Sequence, residues 1–520
     1  MRKISDHRRY APRHIREAAA AELANRQVSG YDCRNHGWRS SWEMGSTPVG
    51  TEIAGARCFM GNDFIDWLEA NRGRGFELHS QYVNPAFVKV LRAIGFDRNY
   101  VRGEGCYLWD EEGNKYLDLL TGWGVFALGR NHPKIKSILK QVMDLDSPNL
   151  VRMDCGILSG LAAEALVRHM PDGLSRLFFT NSGTETVEAA LKFARCATGR
   201  QEIVFCDHAF HGLTAGSLSV NGADFFRERF GEMIPGARKI PFNDLPALEK
   251  ELNRKQAAAF IVEPVQGKSC EVVSDDYLIE AQRLCRLNGS LLIIDEVQTG
   301  LGRTGKWFAF QHWPVVEPDI VCVAKALSGG YVPVGAVVTT PRIMDSVFNT
   351  MERCVVHSNT FGQNDMAMAA ALASIQVIEE DKLVENAAEL GEYVMQRLRP
   401  IADSCPFVSA VRGKGLMFGI DFARPISSFK LKMAWDMLHR LNYGVFGQMI
   451  IIPLMQKHHI LTQVAGYHTE VIKFLPPIIA TKEDMDWFLS GIEDVLSDTQ
   501  RIPGAAWDTV SGLAKRAILA

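Results

Sequence analysis

A lysine and an aspartate, each at the end of a short apolar run, are the first candidates for chemistry. Lys325 ends the run "DIVCVA", and Asp295 ends "LLII" thirty residues earlier. A lysine at the mouth of a buried site can have a lowered pKa, which leaves a neutral amine able to form Schiff bases. A buried carboxylate needs a partner cation, and a protonated ring nitrogen would serve. Most lysines at strand ends are simply solvated, so neither residue decides the function alone.

Two further features extend this pair to a possible set of cofactor ligands. The stretch "TNSGTE", which contains Gly183 and Thr184, follows an apolar run and opens a helical pattern. A helix N-terminus with small residues suits a phosphate, although small residues also only cap helices. Phe210 in "HAFHG" could stack on a flat heterocycle or could be an ordinary core residue. A lysine, a carboxylate, an aromatic ring and a helix start are together the parts that bind pyridoxal phosphate (PLP).

Glycines behind Asp295 offer a competing interpretation. Gly300, Gly302 and Gly305 spell GxGxxG, and Asp319 lies downstream at a distance that fits a dinucleotide-binding turn. In such a turn the first glycine follows the strand at once and the third packs against a helix. Here "DEVQT" intervenes, and Pro314 follows before a long helix could form. The glycines are therefore predicted to form a flexible loop beside the site.

The amino-acid composition argues against several classes of protein. The chain has 520 residues, 47% of them hydrophobic, and a formal net charge of -3, which predicts a soluble multidomain protein without a nucleic-acid footprint. No apolar run approaches the ~20 residues of a membrane span, and "MIIIPLM" (449–455) is predicted to be a short buried strand. The 11 cysteines show no CxxC spacing, which favours buried thiols in a reducing cytoplasm. His208 and His211 match no zinc pattern, so no metal is predicted.

Alternating patterns predict the elements that position these residues. From about 158 to 375, short β-rich runs alternate with helical patterns, which predicts a mostly parallel α/β sheet covered on both faces. Ligands bind at the carboxyl ends of such strands, so one site should collect the segments "TNSGTE", "DHAFHG", "EPVQGK", "DEVQTG" and "AKALSGG". A hairpin is predicted around Glu112–Asn114, and helices are predicted at 14–27, 62–73 and 382–398.

The chain resembles the class III (ornithine and 4-aminobutyrate type) aminotransferases of PLP fold type I. The resemblance covers about 101–496 and rests on motifs in family order: "NSGTE", "FHG", "VEPVQG", "IIDEVQTGLGRTG", "AKALSGG", "NTF" and "VRGKGLM". It implies a large PLP-binding domain at 151–390, a small domain built from 76–150 and 391–520, and an N-terminal extension at 1–75.

The resemblance also implies roles around the cofactor. Lys325 would form the Schiff base and move the substrate proton, Asp295 would pair with the pyridine nitrogen, and Phe210 would stack on the ring. Gln298 would contact the ring hydroxyl, and Gly183 and Thr184 would hold the phosphate. Glu263 would lie in the surroundings of the ring. Thr360 would reach the phosphate from the neighbouring subunit, which implies a homodimer.

On the substrate side the resemblance points to three residues. Arg412 in "VRGKGLM" would clamp a substrate carboxylate, for which a guanidinium is suited, and Trp123 would face the substrate. Many relatives carry a glutamate after "QG" that neutralises the carboxylate-binding arginine, but here that residue is Lys268. We expect a more positive pocket that binds dicarboxylates such as glutamate and 2-oxoglutarate, unless Lys268 points to solvent.

The implied activity is ping-pong transfer of an amino group between an amino donor and a carbonyl acceptor. An aminomutase, a racemase, a decarboxylating transaminase or a binding protein with a dead enzyme domain are the alternatives. The acceptor is open. Trp123 and the apolar stretch "VFGQMIII" from Val445 would suit a bulky substrate, or they belong to the core.

Overall fold

The computed structural model describes residues 64–151, 153–441, 445–466 and 470–501. The chain divides into two units after Glu69, and the second, Ala70–Ala520, contains the elements that position the site. The helix predicted at 14–27 lies outside the described residues, whereas the helix predicted at 62–73 is confirmed. The described part of the chain begins with the helices α1 (Phe64–Asn71), α2 (Gly75–Tyr82) and α3 (Pro85–Ile94). The domain boundaries within the second unit stay predictions.

The predicted hairpin is present and belongs to a small sheet. Its strands are β1 (Tyr100–Glu104), β2 (Tyr107–Asp110) and β3 (Lys115–Asp118), and each neighbouring pair is antiparallel. A left-handed turn follows at Thr121–Gly124, where φ is +48° at Thr121 and +59° at Trp123. Two helices lead on to the central sheet, α4 (Pro133–Asp144) and α5 (Ile157–Val167).

The central sheet has seven strands in the order β4-β10-β9-β8-β7-β5-β6. Their bounds are β4 (Arg176–Thr180), β5 (Glu202–Cys206), β6 (Ala237–Ile240), β7 (Ala257–Val262), β8 (Leu291–Asp295), β9 (Ile320–Val323) and β10 (Gly335–Thr339). Strand β10 is antiparallel to both of its neighbours, and the pairs among the remaining strands are parallel. The predicted mostly parallel sheet is confirmed.

Helices cover both faces of this sheet, as predicted. They are α6 (Gly183–Thr198), α7 (Ala215–Ser219), α8 (Leu245–Leu252), α9 (Tyr277–Asn288), α10 (Pro341–Val347) and α11 (Asp365–Glu380). Ile293 packs in the apolar cluster with α6 and α10, whereas its neighbour Ile294 packs in the cluster with α9 and α11. Strands buried on both faces lose the apolar–polar alternation, which is why these strands are continuous apolar runs.

The C-terminal part adds a second, antiparallel sheet. Its elements are α12 (Leu383–Asp403), β11 (Val408–Lys414), β12 (Met417–Phe422), α13 (Phe429–Leu441), α14 (Val445–His458), β13 (Ile460–Leu461), β14 (Gln463–Val464), β15 (Val471–Phe474) and α15 (Lys482–Thr499). The sheet order is β11-β12-β15-β14, and β13 joins the N-terminal sheet beside β3.

Two local predictions were wrong: one concerns a helix, and the other concerns the glycine loop after Asp295. The run "MIIIPLM" is part of helix α14, and Pro453 lies inside that helix. Ile450, Ile451 and Ile452 are all buried, so this helix has no polar face whose period could have distinguished it from a strand.

The glycine loop is packed rather than flexible. Residues 300–305 are all buried, and Arg303 is bonded to the carbonyl oxygens of Leu416 (Nη1 to O, 3.0 Å) and Pro476. Gly305 has a φ of +84°, and a Cβ there would lie 2.8 Å from the Cα of Ala388. Glycine is required here because two backbone segments approach each other closely. The sequence alone does not distinguish such a glycine from one that makes a loop flexible.

Candidate active site

The carboxyl ends of parallel strands gather the predicted segments at one edge of the central sheet. Asp295 is the last residue of β8 and pairs in register with Cys322 of the adjacent β9, and Lys325 follows β9 after Ala324. Lys325 begins a 3₁₀ turn with a φ of +42°, a conformation that non-glycine residues hold mostly where the surroundings impose it. The two residues are therefore brought to neighbouring strand ends.

Asp295 is held by two donors and is only 3% exposed. Its carboxylate accepts from the backbone N–H of Val297 (3.0 Å), and its Oδ2 lies 2.7 Å from Nδ1 of His211. Burial lowers the pKa of His211, but the hydrogen bond to Asp295 and the charges of Asp295 and Glu263 outweigh burial and raise it. Nε2 of His211 is buried and has no partner among the described residues. Sequence reasoning considered His211 only as a metal ligand and missed this contact.

The amine of Lys325 has no ion-pair partner among the described residues. Burial, followed by the nearby positive charge of Lys473, lowers its pKa to about 7, and the charges of Asp295 and Glu263 only partly oppose this. No salt bridge joins Lys325 to Asp295 within the described part of the chain, although the charge of Asp295 raises the pKa of Lys325. An amine and a carboxylate that share a buried site without pairing fit a group that binds between them, as PLP would.

Glu263 fixes the backbone around the predicted stacking residue. Its carboxylate accepts from the N–H of Phe210 (Oε2, 3.0 Å) and of Gly267 (Oε1, 2.8 Å), and burial raises its pKa. The ring of Phe210 is half-buried and meets Phe226 edge-on, with 5.6 Å between the ring centroids. One carboxylate thereby positions two neighbouring loops.

Lys268 faces this aromatic pair and not open solvent. Its Nζ lies 4.5 Å from the ring centroid of Phe210 and 5.1 Å from that of Phe226. Burial lowers its pKa, and the charge of Glu263 raises it in part. Since no carboxylate contacts this ammonium among the described residues, a cation–π contact is its main partner.

The predicted phosphate loop opens helix α6 as expected. Ser182 is the N-cap and accepts from the N–H of Glu185 (3.3 Å). Thr184 Oγ1 lies 2.6 Å from Oγ of Ser217 and 2.8 Å from Oγ1 of Thr214. A Cβ at Gly183 would lie 2.7 Å from a methyl of Val297, so the backbone here requires glycine. A helix start with hydroxyls beside it suits an anion.

Gln298 and Trp123 are joined by a hydrogen bond. Gln298 Nε2 donates to the carbonyl oxygen of Trp123 (2.8 Å), and Gln298 Oε1 accepts from Nζ of Lys473 (3.1 Å). The indole of Trp123 is 58% exposed and donates to Oε1 of Gln463 (2.6 Å). Sequence reasoning missed Lys473 because the apolar strand "VIKFLPP" around it gives no sign that its side chain is buried at the site.

Two predicted residues are not brought into contact with this centre. Arg412 lies on β11, where its guanidinium pairs with Glu271 (Nη1 to Oε2, 3.5 Å) and with Asp421. Thr360 is exposed, in a loop tied to β4 by the bond from Asn359 Nδ2 to the carbonyl oxygen of Phe179 (2.8 Å). The stretch "VFGQMIII" belongs to the core through Phe446, Met449 and the following isoleucines.

A separate cleft of about 1050 Å³ contains none of the predicted site residues. Charged groups of both signs line it, among them Arg130, Asp381 and Lys482. Its lining offers neither an unpaired amine beside a buried carboxylate nor an aromatic platform, so the sheet edge is the candidate active site on chemical grounds.

The fold and the site define a PLP-dependent transferase, and comparison with known proteins specifies which. The family model "Aminotransferase class-III" matches residues 93–496, and the chain belongs to this family. Members of the family are PLP-dependent transaminases, so this protein is a PLP-dependent aminotransferase of fold type I. No helix in the described part is both long and apolar enough to cross a bilayer.

Several relatives share most of the chain. Aminotransferase PigE of Serratia sp. is 33% identical over 84% of this chain, which spans only 55% of that relative's length. Putrescine aminotransferase of Pectobacterium atrosepticum is 34% identical over 80% of this chain and 87% of its own. Among solved structures, an ornithine aminotransferase of Toxoplasma gondii has a TM-score of 0.73 at 28% identity, covering 86% of this chain and 99% of its own.

The contact between His211 and Asp295 predicts a loss of cofactor affinity when the imidazole is removed. A hydrogen bond to a charged group contributes about 1.5–3 kcal/mol, so His211→Leu should raise the dissociation constant for PLP about tenfold or more. Equilibrium dialysis of the purified variant measures this. The matched control is His208→Leu, since His208 is exposed and lies three residues before His211, outside the contact. Equal affinities of the two variants would contradict the prediction.

Proposed function

We propose that this aminotransferase moves an amino group from an amino acid donor, with glutamate as the first candidate, to an aldehyde or 2-oxo acid in a ping-pong cycle. The observation that carries the proposal is the unpaired amine of Lys325 beside the buried carboxylate of Asp295. The names of the relatives add putrescine, acetylornithine and ornithine as further candidate donors.

When bound, PLP supplies an aldehyde for attachment and a ring that takes up electrons from the substrate Cα. Lys325 would hold the aldehyde of PLP, and its amine would move the proton at the substrate Cα. A pKa of about 7 leaves a large share of its amine neutral at physiological pH, as both tasks require.

Asp295 would pair with the ring nitrogen of PLP, and the bond from His211 orients that carboxylate. Phe210 supplies the stacking surface, while Glu263 holds the backbone of Phe210 in place. We assign the ring hydroxyl to Gln298. For the phosphate we assign the start of α6, at Gly183 and Thr184.

The substrate side of the site is cationic. Lys268 is the better placed group for a substrate carboxylate, since its ammonium has no carboxylate partner among the described residues. Arg412 would have to leave Asp421 or Glu271 to bind the same group. Trp123 presents an exposed indole beside Gln298 and would contact the substrate side chain.

We further propose a homodimer in which Thr360 reaches the phosphate of the neighbouring subunit. Its support is a loop region that exposes apolar side chains: Met351 is 88% exposed, Val355 68% and Phe361 60%. Apolar groups gathered on one surface are typical of association between subunits.

The first test is the half-reaction with glutamate. PLP-bound protein mixed with glutamate should lose its visible cofactor absorbance and release 2-oxoglutarate. Lys325→Ala should abolish this, and Asp295→Asn should slow it about 10²–10³-fold, as expected when one fixed electrostatic partner is removed. Borohydride reduction followed by peptide mass analysis should find PLP on Lys325.

Putrescine, acetylornithine, ornithine and alanine serve as comparison donors in the same assay. Absence of any amino transfer, with PLP still attached to Lys325, would favour an aminomutase, a racemase or a decarboxylating enzyme. Absence of attachment to Lys325 would overturn the assigned site itself.

Lys268→Glu should weaken binding of an anionic co-substrate. Replacing an attracting charge by a repelling one should raise the KM for 2-oxoglutarate about tenfold or more, while the KM for an uncharged aldehyde stays nearly constant. Arg412→Gln is the comparison: a larger effect there than at Lys268 would return the carboxylate to Arg412. Unchanged kinetics in Lys268→Glu would refute its role.

The shared site predicts complementation between two inactive variants. In mixtures of Lys325→Ala and Thr360→Trp chains, random pairing makes half of the dimers mixed, and each mixed dimer has one intact site. Refolded mixtures should therefore recover about a quarter of the wild-type activity. No recovery, with mixed dimers demonstrated by mass spectrometry, would exclude sharing of the site.

A further inference from the structure

Glu188 is a carboxylate beside the assigned phosphate site, and none of the assigned roles explains it. It lies on α6 four residues after Thr184, so the two side chains lie on the same face of the helix, one turn apart. A negative charge at this place opposes the binding of a phosphate. If Glu188 serves the cofactor, it does so through the hydrogen bonds that it accepts and not through its charge.

One oxygen of Glu188 holds the segment Thr214–Ser217. Its Oε1 accepts from the hydroxyl of Thr214 (2.5 Å) and from the N–H groups of Gly216 (2.7 Å) and Ser217 (3.1 Å). These two N–H groups belong to the first turn of α7, where they have no acceptor within the helix. A Cβ at Gly216 would overlap the carboxylate, so the contact requires glycine there. Glu188 thus fixes the backbone and one hydroxyl of this segment.

The same segment holds the side chain of Thr184. Oγ1 of Thr184 lies 2.8 Å from Oγ1 of Thr214 and 2.6 Å from Oγ of Ser217, and it accepts from the N–H of Thr214 (3.2 Å). Gly212 lies on another side of this hydroxyl, where a Cβ would overlap Oγ1 of Thr184. The position of the Thr184 hydroxyl therefore depends on a segment that Glu188 holds in place.

The carboxylate also sets the direction of the hydrogen bonds. An ionised carboxylate only accepts, so the hydroxyl of Thr214 gives its one proton to Glu188. Oγ1 of Thr214 is then left to accept from its neighbouring hydroxyls, Thr184 and Ser217. Thr184 therefore faces Thr214 as a donor. A phosphate oxygen would be an alternative acceptor for that same proton.

We propose that Glu188 is a positioning residue for the cofactor phosphate: by holding the segment Thr214–Ser217, it fixes the hydroxyl of Thr184 as a donor at the start of α6. The inference rests on the proposed function, in which the start of α6 holds the phosphate. Glu188 itself touches neither cofactor nor substrate in this role.

The test compares the binding of PLP with that of pyridoxal, which lacks only the phosphate. Equilibrium dialysis of the cofactor-free protein gives both dissociation constants. Glu188→Leu removes the acceptor, so the dissociation constant should rise about tenfold for PLP and less than about twofold for pyridoxal. Glu389→Leu is the matched control for the loss of a helical glutamate, since Glu389 is exposed on α12, and it should change neither constant.

Glu188→Gln separates hydrogen bonding from charge. The three donors meet the same oxygen, Oε1, so a glutamine can present its own oxygen to them. PLP should bind this variant at least as tightly as the wild type, because a negative charge one turn from the phosphate is gone. A loss of PLP affinity as large as that in Glu188→Leu would overturn the proposal.

Action through Thr184 is tested by a double-mutant cycle on the ratio of the two dissociation constants. The variants are Glu188→Leu, Thr184→Val and the two combined. If Glu188 acts through the hydroxyl of Thr184, the double variant should change the ratio about as much as the larger of the two single changes. Independent effects that multiply in the double variant would overturn the proposal.

A merely structural role of Glu188 would lower the melting temperature and weaken PLP and pyridoxal alike, and that result would overturn the proposal. If Glu188→Leu does not fold, Thr214→Val takes its place, because it removes the hydroxyl between Glu188 and Thr184. It should weaken PLP about fivefold and leave pyridoxal nearly unchanged. Equal losses for the two ligands would again overturn the proposal.

Thr184→Val distinguishes failure of this inference from failure of the proposed function. An unchanged ratio of the two constants in Thr184→Val would refute the assigned phosphate site, and the inference with it. A reduced preference for PLP in Thr184→Val without one in Glu188→Leu would refute the inference alone. Attachment of PLP to Lys325 in the wild type is scored separately by mass.

Discussion

Two buried groups, the carboxylate of Asp295 and the amine of Lys325, lie at the carboxyl ends of adjacent parallel strands and form no salt bridge with each other among the described residues. In a buried site such a pair would ordinarily close into a salt bridge, because each charge is costly alone. Asp295 is instead held by His211 and the N–H of Val297, and Lys325 is held in a left-handed backbone conformation. This arrangement suits the proposed binding of PLP between the two groups.

The positive charge that lowers the pKa of Lys325 comes from outside the central sheet. Lys473 belongs to the C-terminal sheet, and Trp123 belongs to a turn with positive φ at consecutive residues. A left-handed residue with a Cβ costs about 1–2 kcal/mol, so this turn persists because Gln298 and Gln463 hold Trp123 in place. The pKa of Lys325 therefore depends on the placement of the C-terminal sheet, and not on its own loop alone.

The elements and site residues that were predicted correctly from the sequence are those that a local sequence pattern determines. Apolar runs gave the strands of the central sheet, and parallel topology then placed Asp295 and Lys325 together. The contacts of His211 and Lys473 were not predicted, because their partners Asp295 and Gln298 lie 84 and 175 residues away along the chain. The same limit explains the loop Gly300–Gly305, whose packing against Ala388 is a long-range contact. In helix α14 the three consecutive buried isoleucines, Ile450 to Ile452, carry no helical period.

The position of Lys268 shows how one substitution redistributes charge in a conserved-looking motif. A glutamate after "QG" would supply an anion beside Glu263, whereas the lysine adds a cation whose nearest partners are two aromatic rings. Arg412, in contrast, already has Asp421 and Glu271. Under the proposed function, a substrate carboxylate would compete with no other carboxylate at Lys268 among the described residues, but with two at Arg412. Desolvating an unpaired cation costs free energy. A bound anion would offset that cost at Lys268, whereas Asp421 and Glu271 already offset it at Arg412.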